Sequence, residues 1–209
     1  MYDSYIEEFM KKKDPFIVQM EEYAAENRVP IMDSGAIEAL IGLLRIQNPL
    51  RILEIGSAIG YSAIRMVSAL PKATVLTIER DAERYTKAIE FIENSGLVNR
   101  IQIIEADALE FNTDGVFTEL FDALFIDASK GQYKRFFEKY APALAPDGVI
   151  YCDNMFMHGM VLQDDEDIPK RNRTMIRKLK EFTRWVMNHP EYDSILLPIG
   201  DGILIATKK

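Results

Sequence analysis

One stretch constrains the fold of this chain more than any other. Residues 51–62 read Arg-Ile-Leu-Glu-Ile-Gly-Ser-Ala-Ile-Gly-Tyr-Ser, an apolar run that breaks into a glycine-containing turn and then into a helical pattern. Ile52, Leu53 and Ile55 suit a central parallel strand covered on both faces, with Glu54 as the one charge near its carboxyl end. Gly56 and Gly60 let the backbone turn tightly and approach a ligand closely, which side chains there would hinder. Strand, loop and helix start in this order make a cofactor seat. Its spacing weighs against two common versions: a dinucleotide fingerprint would need glycine where Ala58 and Tyr61 stand, and no Gly-Lys-Ser/Thr follows for a P-loop.

The rest of the chain alternates helix and strand. Two helical pieces span Ser4 to Asn27, parted by Lys11-Lys-Lys-Asp-Pro15. Val29 to Met32 is an extended connector, and Asp33 or Ser34 caps a helix carrying Ile37, Leu40, Ile41 and Leu44, stopped by Asn48-Pro49. The pattern then predicts a helix to about Leu70, a strand over Ala73–Ile78, a helix over Asp81–Asn94 and a strand over Ile101–Ile104. Strands over Phe121–Ile126 and Gly148–Tyr151 flank a helix from about Gln132 to Leu144. A basic amphipathic helix runs from about Lys170 to Met187, before an antiparallel pair, Ser194–Pro198 and Ile203–Thr207, around Gly200-Asp-Gly202. Such alternation implies a parallel α/β sheet. At 209 residues and 48% hydrophobic, the chain is most simply one domain, with residues 1–48 as leading helices that form a lid or a dimer contact.

Net charge of -8 argues against indiscriminate binding to nucleic acid or membrane, and so against DNA, while leaving room for a local basic face. The single cysteine, Cys152, allows no internal disulfide and fits a reducing cytosol. No apolar run approaches bilayer-spanning length and no secretory signal opens the chain, so the expected location is cytoplasmic.

Open parallel sheets bind ligands beyond the carboxyl ends of their strands, and this chain has acids there. Glu79 follows the second strand, where a carboxylate could accept from ribose hydroxyls; Asp107-Ala108 follows the third, where Asp107 could accept from an adenine amino group and Ala108 leave room for its ring. Asp127 ends the fourth strand and Asp153-Asn154 the fifth, so adjacent strands would bring all three together. Two carboxylates and an amide oxygen form a hard set suited to a magnesium-like ion and poorly suited to zinc. The plainer reading is that each acid caps a following helix.

Together Glu54 to Ser62, Glu79, Asp107-Ala108, Phe125 to Tyr133 and Asp153-Asn154 resemble the metal-dependent catechol and caffeoyl-coenzyme A type O-methyltransferases, over nearly the whole chain. Val29-Pro-Ile-Met32, Lys130-Gly-Gln-Tyr133, Pro169-Lys-Arg171, Trp185 to Pro190 and Pro198-Ile-Gly-Asp-Gly202 resemble more closely the bacterial tRNA 5-hydroxyuridine methyltransferases. The resemblance implies a class I S-adenosylmethionine-dependent methyltransferase fold, a Rossmann-like mixed sheet that is mostly parallel with an antiparallel C-terminal strand and helices on both faces. It implies that Glu54, Gly56 and Ser62 belong to the cofactor motif, that Met32 lies over the methionine portion, that Glu79 holds the ribose and that Asp107 and Ala108 border the adenine. Asp127, Asp153 and Asn154 would hold Mg2+, with Asp127 also near the cofactor, and Lys130 matches the proposed general base; a surface lysine is the plainer reading. The implied reaction turns 5-hydroxyuridine at the tRNA wobble position into 5-methoxyuridine, in a homodimer. A small-molecule acceptor of catechol or coenzyme A ester type is the alternative, and a non-catalytic nucleotide- or RNA-binding module is a third reading.

For RNA, one surface stands out. Lys170, Arg173, Arg177, Lys180 and Arg184 fall within a helical stripe about 80° wide, roughly opposite Ile176, Leu179, Phe182 and Val186, and Arg171 is a further base at the start of the same helix, outside that stripe. Such a rail could hold anticodon-loop phosphates, or be no more than a solvated face. Asp164-Asp-Glu-Asp167 lacks the features of a calcium loop, and Cys152, Trp185 and Phe136-Phe137 read as packing residues.

Overall fold

The computed structural model describes Phe9 and residues 12–209; most of the helical piece expected before Lys11 lies outside them. Helix α1, Pro15–Asn27, opens on Asp14, whose carboxylate accepts from the Phe16 N–H at 2.8 Å, and Pro15 sits where a missing N–H costs nothing. Asp33 opens α2, Ser34–Gln47, by accepting from Gly35 and Ala36, and Asn48 ends it in the left-handed region before Pro49. The order continues β1 (Arg51–Ile55), α3 (Tyr61–Ala69), β2 (Thr74–Glu79), α4 (Ala82–Asn94), β3 (Ile101–Glu105), β4 (Phe121–Ile126), α5 (Tyr133–Tyr140), β5 (Leu144–Cys152), α6 (Lys170–Met187), β6 (Tyr192–Leu197) and β7 (Ile203–Lys208).

The strands form one seven-stranded sheet in the order β3-β2-β1-β4-β5-β7-β6. Strands β1 to β5 pair in parallel, and β7 lies antiparallel between β5 and β6. Ile55 is level with Ile78 on one side and Ile126 on the other, and Ile126 is level with Cys152. Gly56, Glu79, Asp127 and Asp153 therefore emerge side by side at one edge, where the strand order reverses between β1 and β4.

Alternation along the strands divides the core. Ile52, Val75, Phe125 and Tyr151 pack with α1, α2 and α3 through Met20, Ile37, Leu40 and Ile64. Leu53, Ile55, Leu124, Ile126 and Ile150 pack on the other face with Phe137 of α5 and Leu179, Phe182 and Val186 of α6. The leading helices thus cover one sheet face, and their connector at Pro30, Ile31 and Met32 reaches the ligand edge. Cys152 is buried, and burial pushes its thiol up and out of reactive range. Trp185 and Phe137 stack edge-on at 5.3 Å within an aromatic cluster, as packing residues.

The helix expected over Gln132–Leu144 is shorter. α5 gives way at Ala141–Ala143 to a tight 3-10 turn, because Pro142 has no N–H to continue the α pattern, and Leu144 already belongs to β5. β5 is longer than expected and irregular: Phe121 faces Leu144 while Ala123 faces Val149, so the segment carrying Pro146 and Gly148 bulges out of the ladder.

Candidate active site

A cleft of about 790 Å³ opens at this edge, a size suited to a small-molecule ligand. Met32, Gly56, Ser62, Glu79, Asp107 and Ala108 line it toward β2; Asp127, Lys130, Asn154, His158 and Asp201 line it toward β5 and β7.

Gly56 has a φ of 93°, and a Cβ there would lie 2.3 Å from the Asp127 carbonyl oxygen. Glycine is required because two strand ends meet there, in addition to any approach by a ligand. The Gly56 N–H donates to Ile78 and the Asp127 N–H to Ile55, lacing the β2, β1 and β4 ends together. Glu79 organises the adjoining loop: its Oε2 accepts from the Ala58 N–H at 2.8 Å, and its Oε1 accepts from Arg80 and Asp81 at 2.9 Å each. A carboxylate offers about four lone-pair sites, so capacity for a ligand hydroxyl is left.

Glu54 lies beneath the wall, fully buried and outside the lining residues. Ser62 donates to its Oε1, while Oε2 has no partner; Thr77 lies close without making an ordinary hydrogen bond. Burial pushes the Glu54 carboxyl up to about 7, with Asp127 and Glu79 adding to the rise. Its geometry supports Ser62 from below. Asp107 accepts from the Leu109 N–H at 2.8 Å and lies 3.7 Å from Arg80, while the Tyr140 hydroxyl donates to the Ala108 carbonyl at 2.6 Å.

Across the cleft, Lys130 donates to Asp127 Oδ1 at 2.7 Å. Asp153 is buried and neither carboxylate oxygen makes an ordinary hydrogen bond, although the Asn154 N–H lies close enough to favour the charged form. Burial, then the Asp127 charge, pushes its carboxyl well above the usual range. The Tyr133 hydroxyl donates to the Asp153 carbonyl at 2.9 Å, fixing the backbone there. Asn154 enters the cleft with a φ of 56°. Buried oxygens on Asp153 without ordinary hydrogen bonds, beside Asp127 and Asn154, are the donor set a hard cation fits. Among the described residues no group of three or more His, Cys, Asp or Glu side chains is arranged to hold a metal; the set here is two acids and an amide. Lys130 starts a 3-10 turn.

The basic face of α6 is real but partly engaged. Arg173 donates to the Ile168 and Glu166 carbonyls, Lys180 to Gln163, and Arg177 pairs with Glu181. Sequence reasoning missed Tyr61, Arg84, Arg135, His158 and Asp201 on the cleft wall. Tyr61 stood inside the glycine motif and Asp201 was a charge between two glycines at a turn; the others carried no signal. No helix among the described residues is long and apolar enough to cross a membrane.

Comparison with known proteins agrees with this geometry. The O-methyltransferase family model matches residues 7–209. A provisionally named caffeoyl-CoA O-methyltransferase from Staphylococcus aureus is 33% identical in sequence, with a TM-score of 0.92 over 99% of this chain and 98% of that one. An O-methyltransferase from Bacillus cereus, solved in complex with S-adenosylhomocysteine, is 25% identical, with a TM-score of 0.83 over 99% of this chain and 96% of that one. A caffeoyl-CoA O-methyltransferase of Populus kitakamiensis is 28% identical over 86% of this chain and 77% of its own length. The seat between β1 and α3, the acids along the sheet edge and these likenesses lead to one conclusion: the chain belongs to the O-methyltransferase family and is an S-adenosylmethionine-dependent O-methyltransferase.

Proposed function

We propose that the chain methylates, with a magnesium-like cation, the hydroxyl of an acceptor that carries a second oxygen beside it, and that this acceptor is 5-hydroxyuridine at the wobble position of a tRNA anticodon loop. One observation carries the chemistry: Asp153 is buried beside Asp127 with neither oxygen in an ordinary hydrogen bond. Buried charge of one sign is costly without a counter-charge. Asp127, Asp153 and Asn154 would hold the cation, which when bound supplies the charge that acidifies the acceptor hydroxyl and a fixed direction for its two oxygens.

The chain's own residues do the rest. Glu79 would hold the cofactor's ribose hydroxyls, Asp107 and Ala108 its adenine, and Gly56, Ser62 and Met32 its methionine portion, aligning the methyl with the acceptor oxygen. Lys130 lines the cleft and would take the acceptor proton. An ammonium has no lone pair, so Lys130 must first lose a proton and release Asp127.

Exposed bases on α6 support the RNA reading. Lys170, Arg171 and Arg184 make no ion pair or side-chain hydrogen bond among the described residues, and so stand free for phosphates. The internal bonds of Arg173 and Lys180 favour the second reading, a small catechol-like or coenzyme A ester acceptor, because they leave less of the rail for RNA. Labelled S-adenosylmethionine with Mg2+ and either 5-hydroxyuridine-containing tRNA or a catechol separates the two. Label in tRNA is the expected result, and label in the catechol alone rejects it. Lys170→Glu with Arg184→Glu should then impair tRNA methylation far more than methylation of free 5-hydroxyuridine.

A further inference from the structure

We propose that Asp201 is a positioning residue that holds the 154–158 loop, and with it the Asn154 amide, in the conformation the acceptor site needs. The second half of this statement rests on the reading above that Asn154 is a cation ligand.

The turn between β6 and β7 is wedged in place. A Cβ on Gly200 would lie 2.6 Å from the Ala36 Cβ at the start of α2, and one on Gly202 would lie 2.7 Å from the Phe156 ring. Both glycines have positive φ, 56° and 89°. Nothing larger fits on either side of Asp201, so the turn meets the loop after β5 at a fixed distance.

That loop is costly to form. Asn154, Met157 and His158 have φ values of 56°, 47° and 52°, in the left-handed region that residues bearing a Cβ avoid. All three line the cleft. Strain of this kind persists only where surrounding contacts over-determine it. Here the contacts come from the turn: Met155 N–H donates to the Gly202 carbonyl at 3.0 Å, Phe156 N–H to the Asp201 carbonyl at 2.8 Å, and His158 N–H to Asp201 Oδ1 at 2.6 Å. Of these, the only side-chain acceptor is Asp201. Its contact with the His158 imidazole is longer, 3.8 Å, and that ring is largely exposed. The short bond is to the backbone, so Asp201 acts on the loop's shape and not on the reacting atoms. Its Oδ2 is buried without a hydrogen-bond partner. Keeping a carboxylate in that position is unfavourable unless Oδ1 does something a neutral side chain does less well.

Amide hydrogen exchange on protein free of metal and cofactor, together with Mn2+ titration followed by electron paramagnetic resonance, tests this. Asp201→Ala should lose about tenfold or more of the protection at Phe156 and His158 and bind Mn2+ about tenfold more weakly, with S-adenosylmethionine affinity nearly unchanged. Adding His158→Gly should restore Mn2+ binding, because glycine takes positive φ without steric cost. Asp201→Asn, which keeps an acceptor at Oδ1 but not its charge, should fall between wild type and alanine in both properties; it carries the test if alanine does not fold. Wild-type protection in Asp201→Ala, a loss in Asp201→Asn as deep as in alanine, or no restoration by glycine overturns the proposal. Equal Mn2+ binding by wild type and Asn154→Ala would instead reject the cation reading, while exchange at Phe156 and His158 still decides whether Asp201 holds the loop.

Discussion

The two halves of the cleft treat their carboxylates in opposite ways. On the cofactor half, Glu79 accepts three backbone N–H groups and Asp107 accepts one, so both are partnered within the chain. On the acceptor half, both oxygens of Asp153 and one of Asp201 are buried without hydrogen bonds, and three non-glycine residues sit in the left-handed region against one, Ala58, on the cofactor side. The first half is preorganised and helps hold the fold together. In the second, the buried Asp153 carboxylate opposes folding. Replacing Asp153 and replacing Glu79 should therefore move stability in opposite directions.

Asp153→Asn gives the largest expected effect. Activity should fall about 10³-fold through loss of a ligand charge, while the melting temperature at pH 8 rises, because an amide replaces a buried carboxylate that folding disfavours. Calorimetry beside a methyl-transfer assay reads both. A fall in melting temperature would break the contrast between the halves.

Next in size is Lys130→Ala. Removing a general base should lower turnover about 10²-fold with little change in cofactor affinity, since the lysine bonds Asp127 and not the β2 side. Single-turnover kinetics with a binding isotherm checks this, and unchanged turnover would leave Lys130 only a structural ion pair.

How much of this could be read in the sequence follows from the range of each interaction. Glu79, Asp127 and Asp153 were legible because strand period and parallel order alone place strand ends together. The cap of α2 at Asp33 was legible for the same local reason. What was hidden depends on contacts between distant segments. That Gly56 serves the Asp127 backbone cannot be seen in a glycine spacing, and neither can the grip of Asp201 on a loop more than forty positions earlier. The helical wheel of α6 correctly separated Ile176, Leu179, Phe182 and Val186 from the bases. It could not show the 163–168 segment folding back to take Arg173 and Lys180. The early end of α5 was in plain view at Pro142, a local signal that periodicity outweighed.

Glu79→Gln should behave as the mirror image of Asp153→Asn. One amide oxygen can still accept from Arg80 and Asp81, but the NH2 group faces the Ala58 N–H and leaves it unpaired. A buried donor left without a partner costs about 1–3 kcal/mol. Melting temperature and S-adenosylmethionine affinity should fall together, the latter about tenfold, as titration calorimetry would show. Higher stability in this variant would erase the difference between the halves.

Smallest in its effect on activity, and sharpest on the comparison, is Glu54→Gln. Glu54 sits under the cofactor half yet resembles the acceptor half, with one oxygen unpartnered and its carboxyl raised from 4.5 to about 7. The folded state therefore binds its proton more tightly than the unfolded chain. The stability this proton contributes is fully present below pH 4.5, is lost as pH rises through about 7, and amounts to about 3 kcal/mol across that window. The substituted glutamine cannot titrate and, with its oxygen toward Ser62, keeps the hydroxyl's bond. In cofactor-free protein, denaturant titrations should find the variant and wild type alike near pH 4.5 and the variant more stable at pH 8. A difference that does not vary with pH would place an ionised carboxylate under Ser62 throughout, and Glu54 would then belong with Glu79 as a satisfied part of the cofactor seat.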